Sequence, residues 1–252
     1  MPFSGLRACA ANLHRQMISR KPRILGGVQA RIGSKRLPAK MLEYLGQYRI
    51  LEWVLLRTSR AVMLDQIVLL TSAAPENRVL GEIAANLSIP TLYGSEDDVL
   101  SRFVHAAKQF NADYVVRVCA DNPFIAAEEI DRLVRFYLDR LPDYAFNHIP
   151  EMGNAYPDGL GAEILSSTVL ERIASSSSEP RHREHVTRYL WDHRHEYRIE
   201  TLKAPEEIAF PDVKLDVDTR EDLELLRSIV RSLDINSSAR QVIDSFRANR
   251  RC

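Results

Sequence analysis

Apolar residues in this chain fall into short continuous runs separated by longer stretches of helical periodicity. Residues 24–28, 66–71, 90–93 and 114–118 are runs of strand length, and their unbroken apolar character predicts strands buried on both faces. Between them, residues 50–61 repeat with a helical period. A second helix starts at Pro75 and runs to about Leu87, because proline is tolerated in a first helical turn. Ser95-Glu96-Asp97-Asp98 has the form of a capping box, which predicts a helix over residues 97–110; residues 128–138 give another. Strands alternating with such helices predict βαβ units, hence an α/β protein whose mostly parallel sheet carries helices on both faces.

The rhythm changes after Pro142. Residues 144–147 are strand-like, and then Pro150, Gly153, Pro157, Gly159 and Gly161 break the chain into turns. A strand over 161–165, a helix over 168–174, a serine linker at 175–178, a helix over 183–192 and an extended stretch at 198–202 follow. Residues 213–217 predict a final strand, followed by helices over 220–233 and 238–249. The expected organisation is one nucleotide-binding body over 23–252, with an inserted lobe at about 145–205 and a return to the main sheet. Residues 1–22, which contain Arg7, His14, Arg15, Arg20 and Lys21 but no acid, are expected to be a disordered or loosely helical extension, or the product of an upstream start codon.

Charge narrows the function classes. Thirty-four basic and 34 acidic side chains balance, so the whole chain has no attraction for nucleic acid or an acidic membrane, and an anion site has to be local. Cys9, Cys119 and Cys252 are too scattered for a disulfide framework or metal cluster, which suits a cytoplasmic protein. No apolar run approaches the roughly 20 residues of a membrane span.

Against that neutral background Arg31, Lys35, Arg36 and Lys40 stand out, since they fall together just after the first strand. Gly33-Ser34 is a loop signal, and Pro38 disfavours helix at Leu37. A donor-rich cationic loop leaving a strand suits a polyanion such as a triphosphate, although a solvated basic turn has the same composition. Neither G-x-x-x-x-G-K-[ST] nor G-x-G-x-x-G is present, so phosphates would be held by another design. Two acidic positions follow predicted strands. Asp121, in Arg117-Val118-Cys119-Ala120-Asp121-Asn122-Pro123, lies where open α/β sheets place ligands. Asp216 and Asp218 lie on one face of the predicted last strand. A hard divalent cation bridging phosphates needs one or two carboxylates plus water, which Asp121 and Asp218 could supply. A turn role for Asp121 and a helix-start role for Asp218, beside Thr219 and Asp222, are the structural alternatives. His182 and His185 have helical ligand spacing, but their flanking arginines favour anion or interface contacts over zinc.

Taken in order, these segments resemble the cytidylyltransferase family of the spore-coat-polysaccharide type, related to the CMP-sialic acid and CMP-Kdo synthetases. The resemblance covers about residues 23–235. Its most specific part is Gln29-Ala30-Arg31-Ile32-Gly33-Ser34-Lys35-Arg36-Leu37-Pro38-Ala39-Lys40. Residues 93–102, 117–123, 156–163, 183–187 and 218–224 support it in the same order.

The resemblance implies a Rossmann-like three-layer nucleotidyltransferase fold, CTP as donor, Mg2+ as cofactor, and a homodimer in which the inserted lobe meets its partner. It also implies site residues. Arg31 and Lys40 would hold the triphosphate and Gly33 and Ser34 would add donors. Gln29, Ala30, Ser72, Gly94, Ser95 and Arg102 would lie by the nucleotide. Asp121 and Asp218, with Asp216, would bind the metal. Asp158, Glu163, Arg183 and His185 would face a small anionic acceptor, which in this family is a sugar acid for polysaccharide or glycan synthesis; a phosphonate or sugar phosphate is the runner-up. The chain departs from the family pattern at Gly161, where an aspartate is usual, at Arg220, where a proline is usual, and at Asn122. The first of these predicts a missing acceptor contact. Outside the family, the acid pair Asp216 and Asp218 would also suit a metal-dependent glycosyltransferase that uses a nucleotide-sugar, and a non-catalytic nucleotide-binding scaffold would share the loop.

Overall fold

A computed structural model describes residues 20–148 and 151–250. The expectation for the N-terminal extension falls on residues 1–19, which lie outside the described residues. At the end of that segment Arg20 pairs with Asp113 at 2.7 Å and Lys21 with Asp65 at 2.8 Å, so the chain enters the body docked on two acids.

The body is a seven-stranded sheet in the order β5-β4-β1-β6-β8-β7-β9. The strands are β1 (Ile24–Gln29), β4 (Gln66–Ser72), β5 (Thr91–Gly94), β6 (Tyr114–Cys119), β7 (Tyr144–Phe146), β8 (Glu163–Ser166) and β9 (Ile199–Thr201); a small separate hairpin joins β2 (Tyr44–Leu45) to β3 (Tyr48–Arg49). β4, β1 and β6 are parallel neighbours, as the βαβ rhythm predicts, while β8 runs antiparallel to both β6 and β7. Three-layer α/β architecture with a mostly parallel sheet is therefore what the chain forms.

Side-chain alternation along the strands divides the core in two. Ile24, Val28, Val116 and Val118 point to one face, where α1 (Ile50–Thr58), α2 (Arg78–Asn86), α4 (Ala127–Arg140), α8 (Arg220–Ile229) and α9 (Ala239–Asn249) pack. Leu25, Leu70 and Val115 point to the other, beneath α3 (Val99–Gln109), α5 (Ser167–Ser176) and the short helices α6 (Pro180–Glu184) and α7 (Arg188–Asp192). α3 lies close on β1, because a side chain at Gly27 would put its Cβ 2.7 Å from the Phe103 ring.

Three expectations change. Residues 213–217 do not form a strand: they make one isolated bridge, Asp158 with Lys214, and cross the carboxyl ends of the strands. The local alternation is there, but the segment is tied to loops and not to a strand ladder: Asp158 N donates to the Val213 carbonyl and Leu215 N to the Asp158 carbonyl, each at 3.0 Å. The segment at about 145–205 contributes β7, β8 and β9 to the same sheet, with α5–α7 folded over one face. The helix predicted over 183–192 is two helices separated at His185, whose extended backbone (φ −104°, ψ 92°) turns the chain.

Candidate active site

β1 delivers the chain at Gln29 to the carboxyl edge of the sheet, and the basic loop folds there as a compact turn. Ser34 N and Ala39 N both donate to the Ile32 carbonyl, at 2.7 and 3.2 Å. Asn77, at the start of α2, accepts from Ile32 N at 2.8 Å and donates to Ser72 Oγ at 2.7 Å. Ser72 thus braces the loop from behind. Leu37 and Met41 are buried as the loop's apolar anchors. Ala39 adopts the left-handed region (φ 54°), turning the chain into a single 3₁₀ turn, Lys40–Leu42.

That turn directs Lys40 inward. Its ammonium is buried and donates to Asp121 Oδ2 at 3.0 Å, Asp218 Oδ1 at 3.2 Å and the Val217 carbonyl at 2.6 Å. The two acids come from distant parts of the chain, joined where Val217 N donates to the Asp121 carbonyl at 2.8 Å. Arg36, which sequence reasoning left without a role, takes the second oxygen of Asp218 at 2.7 Å. The helix-start arrangement beside Asp218 is present, since Thr219 and Asp222 close a capping box on α8.

Asp216 does not join this pair. It faces Lys214 at 3.5 Å, and Lys214 also binds Asp222 at 2.8 Å. Asp216 and Asp218 do share one side of the segment, opposite the buried Val213, Leu215 and Val217, but their carboxylates take different partners: Lys214 for Asp216, Lys40 and Arg36 for Asp218. Burial pushes the Asp158 carboxyl up to about 6, with Asp216 adding to the rise.

Above the pair opens a cleft of about 700 Å³, walled by Gln29, Ala30, Arg31, Gly33 and Ser34 on one side and by Glu184 and His185 on the other. Arg31 reaches across it to Glu184 at 3.3 Å. Arg102 also lines the cleft, almost wholly buried. One Nη donates to the Leu70 carbonyl at 3.2 Å, while Nε has no partner. Burial lowers its pKa to about 10. Gly94 makes room for it: a Cβ there would lie 2.7 Å from Arg102 Cγ. Ser95 Oγ accepts from Asp98 N at 3.1 Å, and Asp98 itself caps α3, so Glu96 and Asp97 are left to face the cleft. Cys119 also lines it, its thiol pushed up to about 12 by burial.

The residues expected at the acceptor divide. His185 faces the cleft, but Arg183 binds Asp98 at 2.6 Å and the Ala174 carbonyl at 2.7 Å, fastening α6 to α3. Glu163 is buried and saturated by Arg117, by Tyr144 at 2.8 Å and by Thr187 at 3.2 Å. Asp158 lies among the acids at the other end, beside Asp216. At Gly161 a Cβ would fall 2.0 Å from the Asn147 carbonyl oxygen, so this backbone leaves no space for the aspartate the family pattern has there. His182 is buried between Ser177 and Asp192 and diverges from His185, which rules out the two as a joint metal pair.

Among the described residues no group of three or more His, Cys, Asp or Glu side chains could by itself hold a metal ion. The donor set does fit magnesium in its usual role. The Lys40 ammonium marks the point where Asp121 and Asp218 converge, and an ion bridging phosphates requires only one or two carboxylates, with water and phosphate completing its shell.

The family model described as "Cytidylyltransferase" matches residues 27–240. The chain is 34% identical over 228 residues to "Uncharacterized protein MJ1063" of Methanocaldococcus jannaschii, covering 90% of this chain and 91% of that one. It is 32% identical to the spore coat polysaccharide biosynthesis protein SpsF of Bacillus subtilis, covering 82% and 85%. Among solved structures, a cytidylyltransferase from Leptospira borgpetersenii superposes with a TM-score of 0.84 at 27% identity, covering 92% of this chain and 96% of that one.

Proposed function

The chain belongs to the cytidylyltransferase family, and we propose that it transfers CMP from CTP to a sugar acid or related small anionic acceptor, releasing pyrophosphate. The observation that carries this reading is the convergence of Lys40, Asp121 and Asp218 beneath the Gly33-Ser34 turn, with Arg31 and Arg36 alongside. An acceptor oxygen attacks the α-phosphorus in line, and charge grows on the α-phosphoryl oxygens and the departing pyrophosphate. Among the cations that line the cleft, Lys40 and Arg31 are the ones we assign to that charge, and preorganised electrostatics of this kind usually supplies the largest share of the rate. Arg31 exchanges Glu184 for phosphate on binding. Asp121 and Asp218 would hold magnesium, which when bound neutralises phosphate charge and lowers the pKa of an attacking hydroxyl. Arg102 and the ends of β4 and β5 face the nucleoside, while His185 meets the acceptor. A cytoplasmic homodimer serving polysaccharide or glycan synthesis completes the reading.

A glycosyltransferase built on Asp216 and Asp218 is the weaker alternative, because Asp216 turns to Lys214. Pyrophosphate release should be measured with each of the four NTPs and magnesium against sugar acids, sugar phosphates and phosphonates. CTP-dependent release with a sugar acid supports the proposal; release with a phosphonate alone changes the acceptor. Turnover of a nucleotide-sugar without pyrophosphate would overturn it.

A further inference from the structure

On the sheet face that carries α3 and α5, a polar row crosses the edge formed by the carboxyl ends of β1 and β6 and the amino end of the antiparallel β8: Gln29, Arg117 and Glu163. Arg117 donates through Nε to Gln29 Oε1 at 3.1 Å and through Nη1 to Glu163 Oε2. Glu163 is held in turn by Tyr144, Thr187 and, at 3.4 Å, His148. Burial pushes the Glu163 carboxyl up, but Arg117 and His148 outweigh it and keep the group below its ordinary range, so this is a buried ion pair.

Such a pair is a weak source of stability, because desolvating both charges offsets most of their attraction. Its geometry does fix something else. A guanidinium has five donors and no acceptor, so it can only receive the oxygen end of the Gln29 amide. The Nε2 hydrogens of Gln29 are thereby turned away from Arg117, and Gln29 lines the cleft at the foot of the basic loop.

We infer that Gln29 is an anion-binding donor of the cleft, and that Arg117 and Glu163 are positioning residues that hold its amide with the NH2 group toward the ligand. The ligand class is a polyphosphate, and the inference rests on the reading of the cleft as a triphosphate site. Glu163, expected at the acceptor, acts from behind the wall through two neighbours. An amide free to flip would offer oxygen or nitrogen about equally; the relay removes the repulsive orientation.

Tripolyphosphate binding in the presence of magnesium, read by titration calorimetry alongside melting temperature, tests this without relying on turnover. Loss of a donor to a charged group weakens binding about 10- to 100-fold, so Gln29→Ala should fall in that range with an unchanged melting temperature. Gln29→Glu keeps an oxygen for Arg117 but presents a second oxygen to the ligand, and should bind more weakly than Gln29→Ala. Arg117→Lys should lose about as much as Gln29→Ala, and adding it to Gln29→Ala should cost little more, since both break one relay. Should Arg117→Lys fail to fold, the two Gln29 variants still decide. Gln29→Glu binding as well as Gln29→Ala, a silent Gln29→Ala, additive losses in the double variant, or a wild-type protein that binds no tripolyphosphate would each overturn the inference. A wild-type protein that binds tripolyphosphate through this relay yet releases no pyrophosphate from CTP would remove the nucleotidyltransfer reading and leave the relay standing.

Discussion

On one wall of the cleft a dozen consecutive residues, 29–40, supply Arg31, Gly33, Ser34, Arg36 and Lys40 to the same space. On the other wall, residues 144–202 supply strands and helices whose charged side chains are spent on pairs that hold this wall to the body: Arg183 meets Asp98, and Glu163 meets Arg117. The first wall carries its chemistry in one loop. The second builds a scaffold, and of its described residues only Glu184 and His185 line the cleft. A local run of unlike residues reveals function when the loop itself forms the site; scattered acids and bases in a packed region go first to satisfying burial.

The strongest way to break this contrast is at Lys40. Lys40→Met should lower turnover about 100- to 1,000-fold, the usual loss for one preorganised donor at a developing charge. Because Lys40 is also buried between two carboxylates, a fall in melting temperature should accompany it. Rates within a few-fold of wild type would move the chemistry away from the loop.

Gly161→Ala comes next. With its Cβ placed against the Asn147 carbonyl, the variant should lose about 3 kcal/mol in denaturant unfolding, the upper range for forced overpacking. A neutral result would mean that the far wall is loose enough to admit the side chain usual in the family.

The far wall is sharpened by paired substitutions. Arg183→Ala should cost about 1–3 kcal/mol of stability, because it strands Asp98 and the Ala174 carbonyl, while leaving the acceptor KM unchanged. His185→Ala should do the reverse, raising the acceptor KM about 2- to 10-fold, as for one neutral hydrogen bond, with no change in melting temperature. The opposite pattern would exchange their roles.

The smallest effect is in pH. Glu163 ionises below its ordinary value of 4.5 in the folded chain, so the unfolded state binds its proton first as pH falls. Its contribution is complete above that ordinary value and is lost as pH drops through the lower folded value. Melting temperatures from pH 6 to pH 3 should fall less steeply for Glu163→Gln than for wild type.

Much of the sheet was legible because buried parallel strands are continuous apolar runs, and β1, β4, β5 and β6 lie where those runs do. The loop and Asp121 were legible because a strand end and turn residues mark them locally, whereas Asp218 was singled out through a strand that does not form. The stretch 213–217 was misread because alternation reports a half-buried face, and a segment crossing strand ends has one as readily as a strand does. Long-range partnerships left no local trace. Arg57 is a case: it is wholly buried and donates to the Ile125 and Ser237 carbonyls at 2.7 and 2.8 Å, nearly 70 and 180 residues away. Nothing in its helix sets it apart from a solvated arginine. The contacts of Glu163 and Arg183 were hidden for the same reason, since their partners lie on other elements.

The central claim is that this cleft holds CTP for attack at its α-phosphorus. The most direct measurement uses the acceptor that gives the fastest pyrophosphate release, labelled with heavy oxygen at its nucleophilic hydroxyl, followed by mass analysis of both products. The label should remain in the oxygen joining the acceptor to CMP, and the pyrophosphate should carry none. Label in the pyrophosphate, or a phosphorylated acceptor alongside CDP, would contradict it.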